Sequence, residues 1–143
     1  MLGKYRGTLI GIVFISTGML FFLIMQVFDF WTTNSIAGPS GFCEYSDPER
    51  FVAETMNAWS NFYYIGVGMG FIVFHDLIRN EKIPRRDFYV FREENLHYLM
   101  TYGLLVIWIG LGSFYMHGSN AGNELISGHF FDVLSMNMYS SSL

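Results

Sequence analysis

"NLHYLMTYGLLVIWIGLGSFYMHGSNAGN", residues 95–123, contains no Asp, Glu, Lys or Arg. A helix crossing the hydrocarbon core of a bilayer needs about 20 predominantly apolar residues, and this run exceeds that. Near its end stand Ser113 and His117, four residues apart and therefore on one helical face. The length of the run points to a membrane protein. Its two polar groups frame the question of function.

Working outward, the same freedom from charge recurs from Gly7 to Phe28 and from Thr55 to His75. These stretches predict helices over 8–28, 56–75 and 97–117, and a fourth that begins near Leu125 and is still running at Leu143. The fold expected is an all-α membrane protein with four transmembrane helices, the N-terminal part of a larger bundle. Composition agrees, with 52% hydrophobic, 19% aromatic and 14% charged residues among 143, where a soluble domain carries about 25% charged. A net charge of −4 without a basic patch argues against nucleic acid as a partner. Cys43 is the single cysteine, which excludes an internal disulfide and a cysteine-based metal cluster.

Lys4 and Arg6 precede the first helix, and Arg79, Lys82, Arg85, Arg86 and Arg92 lie between the second and third. The positive-inside rule then places the N-terminus and the 79–95 loop in the cytoplasm. Cys43, Glu44 and His117 fall on the other side of this multi-pass chain. Three parts are expected: an N-terminal transmembrane helix (1–31), a turn-rich linker "TTNSIAGPSG" (32–41) and a membrane domain (42–143). The first helix could instead be a signal peptide with "SIA" (35–37) as its cleavage site, although signal h-regions span only about 7–15 residues. Gly7 with Gly11, and Gly66 with Gly70, make small-xxx-small spacings that suit close helix packing.

Polar groups inside such helices are costly and normally face partners, ions or water. Glu54, Asn57 and Asn61 are spaced three then four apart, which puts all three on one face of the second helix. Interhelical hydrogen bonding is the plain reading of the two Asn residues. Glu54 follows "CEYSDPE" (43–49), and this group of carboxylates suits a hard, oxygen-preferring ion such as Ca²⁺ unless it is simply a solvated loop. His129, Asp132, Ser135 and Tyr139 share a face of the fourth helix, so that two polar stripes meet at the outer boundary. His75 and His97 fall at the cytoplasmic ends of their helices and are expected as interfacial anchors. Imidazole is a common zinc ligand, but a zinc site takes about three protein ligands.

"FCEYSDPERFVAETMNAWSNFYY" (42–64), "GLGSFYMH" (110–117) and "FFDVLSM" (130–136) together resemble the alkaline ceramidase family. That family has W-C-E followed by A-E-x-x-N-x-x-S-N, then G-x-G-S-x-x-x-H, then a helix that begins with Asp. It belongs to a superfamily of seven-helix membrane hydrolases that includes the adiponectin and progestin receptors. The resemblance covers roughly 42–139. It implies a zinc-dependent amidase that hydrolyses the N-acyl bond of ceramide-like lipids within the bilayer. By matching, His117 is a zinc ligand, Ser113 the hydroxyl that stabilises the oxyanion and Asp132 the catalytic carboxylate. A calcium site would use Glu44 and Glu54, the backbone carbonyl at Phe42, and Ser46 or Asp47. Phe42, Ser46 and Gly41 stand where the family has Trp, Asn and Asp.

Helix 8–28 has no counterpart in the shortest family pattern and would give eight helices rather than seven. The family's H-x-x-x-H is absent, and after Val133 the remaining residues are too few to cross the core, so the chain reads as the N-terminal portion of a longer protein that is inactive alone. Two other readings stand beside the hydrolase: a receptor-like protein on the same scaffold, and a structural membrane protein whose polar residues join helices.

Overall fold

The computed structural model describes residues 2–28, 38–39, 45–46, 50–52, 54–82, 95–118, 134 and 137. A 3-10 turn, Leu2–Tyr5, leads into α1, Arg6–Val27. Helices α2, Thr55–Ser60, and α3, Phe62–Arg79, are separated only by Asn61, and α4 is Leu96–Gly118. The Asn61 N–H donates to the Ala58 carbonyl, and the Asn61 carbonyl accepts from both Tyr64 and Ile65. The ladder therefore tightens for one turn and then continues. Two-residue strands, β1 Gly38–Pro39 and β2 Tyr45–Ser46, pair antiparallel, with Gly38 opposite Ser46. β1 falls within the stretch expected as a linker, and β2 just after it.

The spans Arg6–Val27, Thr55–Arg79 and Leu96–Gly118 have 22, 25 and 23 residues and are long and apolar enough to cross a membrane. At 1.5 Å per residue they reach about 33–38 Å, against roughly 30 Å of hydrocarbon. The expected helices at 8–28, 56–75 and 97–117 are thus present as Arg6–Val27, Thr55–Arg79 with its break at Asn61, and Leu96–Gly118. The expected fourth helix lies outside the described residues except Leu134 and Asn137, both helical.

Helices α3 and α4 make the closest crossing, and glycine is what permits it. A Cβ on Gly68 would stand 2.5 Å from the Gly103 carbonyl, and one on Gly103 would stand 2.8 Å from the Gly68 carbonyl. Ile65, Ile72, Ile107 and Leu111 are buried around this contact. The pairing expected for Gly66 and Gly70 is not made, since a Cβ on either meets nothing within 4 Å. In "GVGMG" (66–70) successive residues turn by 100°, so Gly68 faces inward while the glycines two positions away face out.

Helix α1 leans on α3 at its start and on α4 at its end. A Cβ on Gly7 would meet Asp76 Oδ1 at 2.7 Å, and one on Gly11 would meet Met69 Sδ at 2.7 Å. Gly18, which the sequence reading passed over, lies under Leu111 and Tyr115. The Tyr115 hydroxyl donates to the Gly18 carbonyl. The other faces of α1 expose Leu9, Ile10, Ile12, Val13, Leu20 and Leu23, an apolar surface suited to lipid and too large for a monomer in water.

At the start of α1, Asp76 of α3 supplies the acceptors that helix N-termini lack. Its Oδ1 accepts the Gly7 N–H at 3.2 Å and its Oδ2 accepts the Thr8 N–H at 2.7 Å and the Thr8 hydroxyl at 2.8 Å. His75 Nδ1 lies 3.1 Å from Oδ1. Asn80 Nδ2 donates to the Lys4 and Asp76 carbonyls. His75 is buried in this network, so its expected role as an interfacial anchor does not hold; the carboxylate next to it in sequence draws the ring inward. His97 is exposed, as an anchor would be.

Candidate functional site at the Glu54–His117 end

At the opposite end of the bundle, α2 begins where α4 ends. Glu54 is the residue before α2 and His117 lies in the last turn of α4. Glu54 Oε2 stands 2.7 Å from His117 Nδ1 and also accepts a hydrogen bond from Asn57 Nδ2 at 3.0 Å. The Glu54 N–H donates to the His117 carbonyl at 2.8 Å. One turn on, Asn61 Nδ2 donates to the Asn57 carbonyl. Glu54, Asn57 and Asn61 therefore share a face, as their spacing required, and the bonds from Asn57 Nδ2 to Glu54 and from Asn61 Nδ2 to the Asn57 carbonyl run along their own span.

The pair is shielded from solvent, with side chains 11% exposed for Glu54 and 12% for His117. Below it lies an aromatic cluster. Phe114 meets Phe22 edge-on at 4.9 Å, Phe62 at 5.4 Å and Trp59 at 5.9 Å between ring centroids. Ala58 is fully buried there, and a Cβ on Gly118 would meet the Phe22 ring. The three spans thus converge on this end.

Ser113 lies one turn before His117 on α4; it is half-buried and makes no hydrogen bond among the described residues. Asp132 and His129 lie outside the described residues. So do Phe42, Glu44 and Asp47, while Ser46 is placed by its backbone in β2. Of the residues expected to hold calcium, only Glu54 has a described side chain, and its side-chain hydrogen bonds to described residues fall on Oε2. Among the described residues no three His, Cys, Asp or Glu side chains come together as a metal-holding group.

An imidazole with Nδ1 held by a carboxylate has its ring orientation and tautomer set, which prepares Nε2 to bind a metal or accept a proton. The donor set therefore fits one zinc ligand and its orienting partner; further ligands would have to come from outside the described residues. The sequence reading assigned Glu54 and His117 to different ions and missed that they touch. Its own topology held the signal, because it put the start of the second span and the end of the third on the same side. No protein-family model matches the sequence, and no match is found among curated proteins or solved structures.

Proposed function

We propose that the chain is part of a membrane-embedded zinc-dependent hydrolase that cleaves the N-acyl bond of ceramide-like lipids. The observation that carries this reading is the shielded contact of 2.7 Å between Glu54 and His117, one turn beyond Ser113. His117 would hold the ion through Nε2, while Glu54 fixes the ring through Nδ1. The Ser113 hydroxyl, without a hydrogen bond among the described residues, would donate to the developing oxyanion. Asp132 would take the proton. Zinc, when bound, supplies a water whose pKa is lowered towards 7. The Glu54 Oε1 atom, on which no hydrogen bond falls among the described residues, would be the oxygen offered to calcium beside Glu44, Asp47, Ser46 and the Phe42 carbonyl. The Lys and Arg distribution supports a non-cytoplasmic position for this end.

In the full-length protein, His117→Ala should lose bound zinc and lipid-amide hydrolysis together. Glu54→Gln should lower zinc affinity by about 10–100-fold, the usual size for an orienting partner. Ser113→Ala should keep the metal and turn over about 10²–10³ more slowly. Metal content per chain and hydrolysis of a ceramide are the two measurements. Full-length wild type without stoichiometric zinc would end the proposal.

A second reading is supported by the main-chain bond from the Glu54 N–H to the His117 carbonyl. Backbone and side chains are tied together there, as in a clasp that joins helices without turnover. On that reading Glu54→Gln and His117→Gln lower the melting temperature in detergent and leave metal content unchanged.

A further inference from the structure

The end of the bundle opposite Glu54 and His117 gathers positive charge from two segments far apart in sequence. Lys4 and Arg6 stand at the start of α1, Arg79 closes α3, and Lys82 follows it. Two contacts bring these segments together. Asn80, next to Arg79, donates through Nδ2 to the Lys4 carbonyl. Asp76, one turn before Asn80, accepts the amide of Gly7, next to Arg6. Past Asn80 the chain turns back, with the Lys82 N–H on the Leu77 carbonyl, so Lys82 stays at this end. All four basic side chains are exposed, and none makes an ion pair among the described residues.

The neighbouring acids do not cancel this charge. Asp76 is buried with both oxygens engaged, and Glu81 is exposed. Four cations against these two acids leave an excess of two positive charges. The connector 83–95 leaves that balance unchanged, since Arg85, Arg86 and Arg92 are matched in number by Asp87, Glu93 and Glu94. The amides at a helix N-terminus are the usual backbone site for an anion, but Asp76 already occupies those of Gly7 and Thr8. An anion at this end is therefore left to the side chains.

We propose that this end binds the headgroup of an anionic phospholipid. Charge selects an anion, and the adjoining surface selects an amphiphilic one. Arg6, Leu9, Ile10 and Val13 stand at i, i+3, i+4 and i+7 and are all exposed, so a guanidinium heads an apolar stripe on one face of α1. That stripe belongs to a span long and apolar enough to cross a membrane. Acyl chains lie along Leu9, Ile10 and Val13, while the phosphate meets the guanidinium and ammonium groups. Arg can take two phosphate oxygens at once and Lys acts as a point charge. A soluble anion would use the charges and leave the stripe bare. None of this involves the Glu54–His117 pair, at the other end of the second span, so it stands apart from the hydrolase reading.

A cation at the membrane surface favours an anionic lipid by about fivefold. The full-length protein in neutral detergent is equilibrated with equal amounts of phosphatidylglycerol and phosphatidylcholine carrying the same chains, and lipid-bound species are counted by native mass spectrometry. The phosphatidylglycerol-bound form should exceed the other by about fivefold or more, the size of one engaged cation. Replacing Lys4, Arg6, Arg79 and Lys82 together by Gln should bring the ratio close to one, whereas Arg6→Lys with Arg79→Lys should keep the preference. Arg50→Gln, near the opposite end, should leave the ratio unchanged. A wild-type ratio near one would overturn the proposal, as would a preference that persists in the fourfold variant or falls equally in Arg50→Gln. The wild type also gives a measurement that no variant's folding touches. Excess inorganic phosphate at matched ionic strength should leave the lipid bound; displacement would show that this end takes a soluble anion and would overturn the lipid as its occupant.

Discussion

Asp76 and Glu54 are both buried carboxylates on the second membrane span, at its opposite ends. Asp76 has both oxygens occupied: Oδ1 by Gly7 and His75, Oδ2 by the Thr8 amide and hydroxyl. Its environment is complete, with 1% exposure, and its role is to cap α1 from across the bundle. Glu54, among the described residues, carries its side-chain bonds on Oε2, to Asn57 and His117. The comparison separates a carboxylate whose two oxygens are both engaged from one that, among the described residues, keeps an oxygen available and holds an imidazole by Nδ1. Burial alone would have marked both as functional.

The largest expected effect is a change that destroys both ends at once. Gly68→Val would drive a side chain into the Gly103 carbonyl and the Ile107 backbone, and backbone cannot yield as a flexible side chain can. A loss of about 3 kcal/mol or more in detergent unfolding is expected, together with loss of both carboxylate networks. Near-normal stability would show that the two ends do not depend on this crossing.

Next in size is the contrast itself. Asp76→Ala leaves the Gly7 and Thr8 amides without their acceptor, at a cost of about 2–4 kcal/mol. Glu54→Ala removes two side-chain bonds in a less enclosed place and should cost about 1–2 kcal/mol. Melting of the two variants side by side decides the matter. If Glu54→Ala is the more damaging, the assignment of capping to one acid and chemistry to the other must be reversed.

Thr8→Val sharpens the account of the capped end. It removes the hydroxyl bond to Asp76 and keeps the amide bond, so about 1 kcal/mol should be lost in the same assay. No change would mean that the backbone bonds alone hold the cap. The smallest effect is expected at Gly66 and Gly70. With nothing within 4 Å of a Cβ there, Ala at either position should stay within about 0.5 kcal/mol of the native chain. A large loss would reveal a partner on that outward face.

The three spans were legible because hydropathy accumulates over twenty consecutive residues and needs no knowledge of neighbours. Asn57 and Asn61 were legible as companions of Glu54 because an i, i+3, i+4 spacing is local. Gly68 was less so, since "GVGMG" offers three glycines and only the rotation of α3 against α4 selects the middle one. Asp76 gave no signal at all. It sits just past the uncharged stretch, where an acidic residue reads as the ordinary polar end of a helix.

By itself, then, the sequence determined that this chain makes apolar helices of membrane-spanning length and that polar groups collect near their ends. Both properties follow from short-range chemistry along one segment. Only the tertiary structure decided which polar groups meet. Glu54 reaches His117 across 63 positions and Asp76 reaches Gly7 across 69. Those contacts depend on the order, tilt and rotation of whole helices, set in turn by where glycine lets two backbones approach. A shift of one residue turns a helix by about 100°, enough to carry His117 away from its carboxylate while leaving every hydropathy window unchanged.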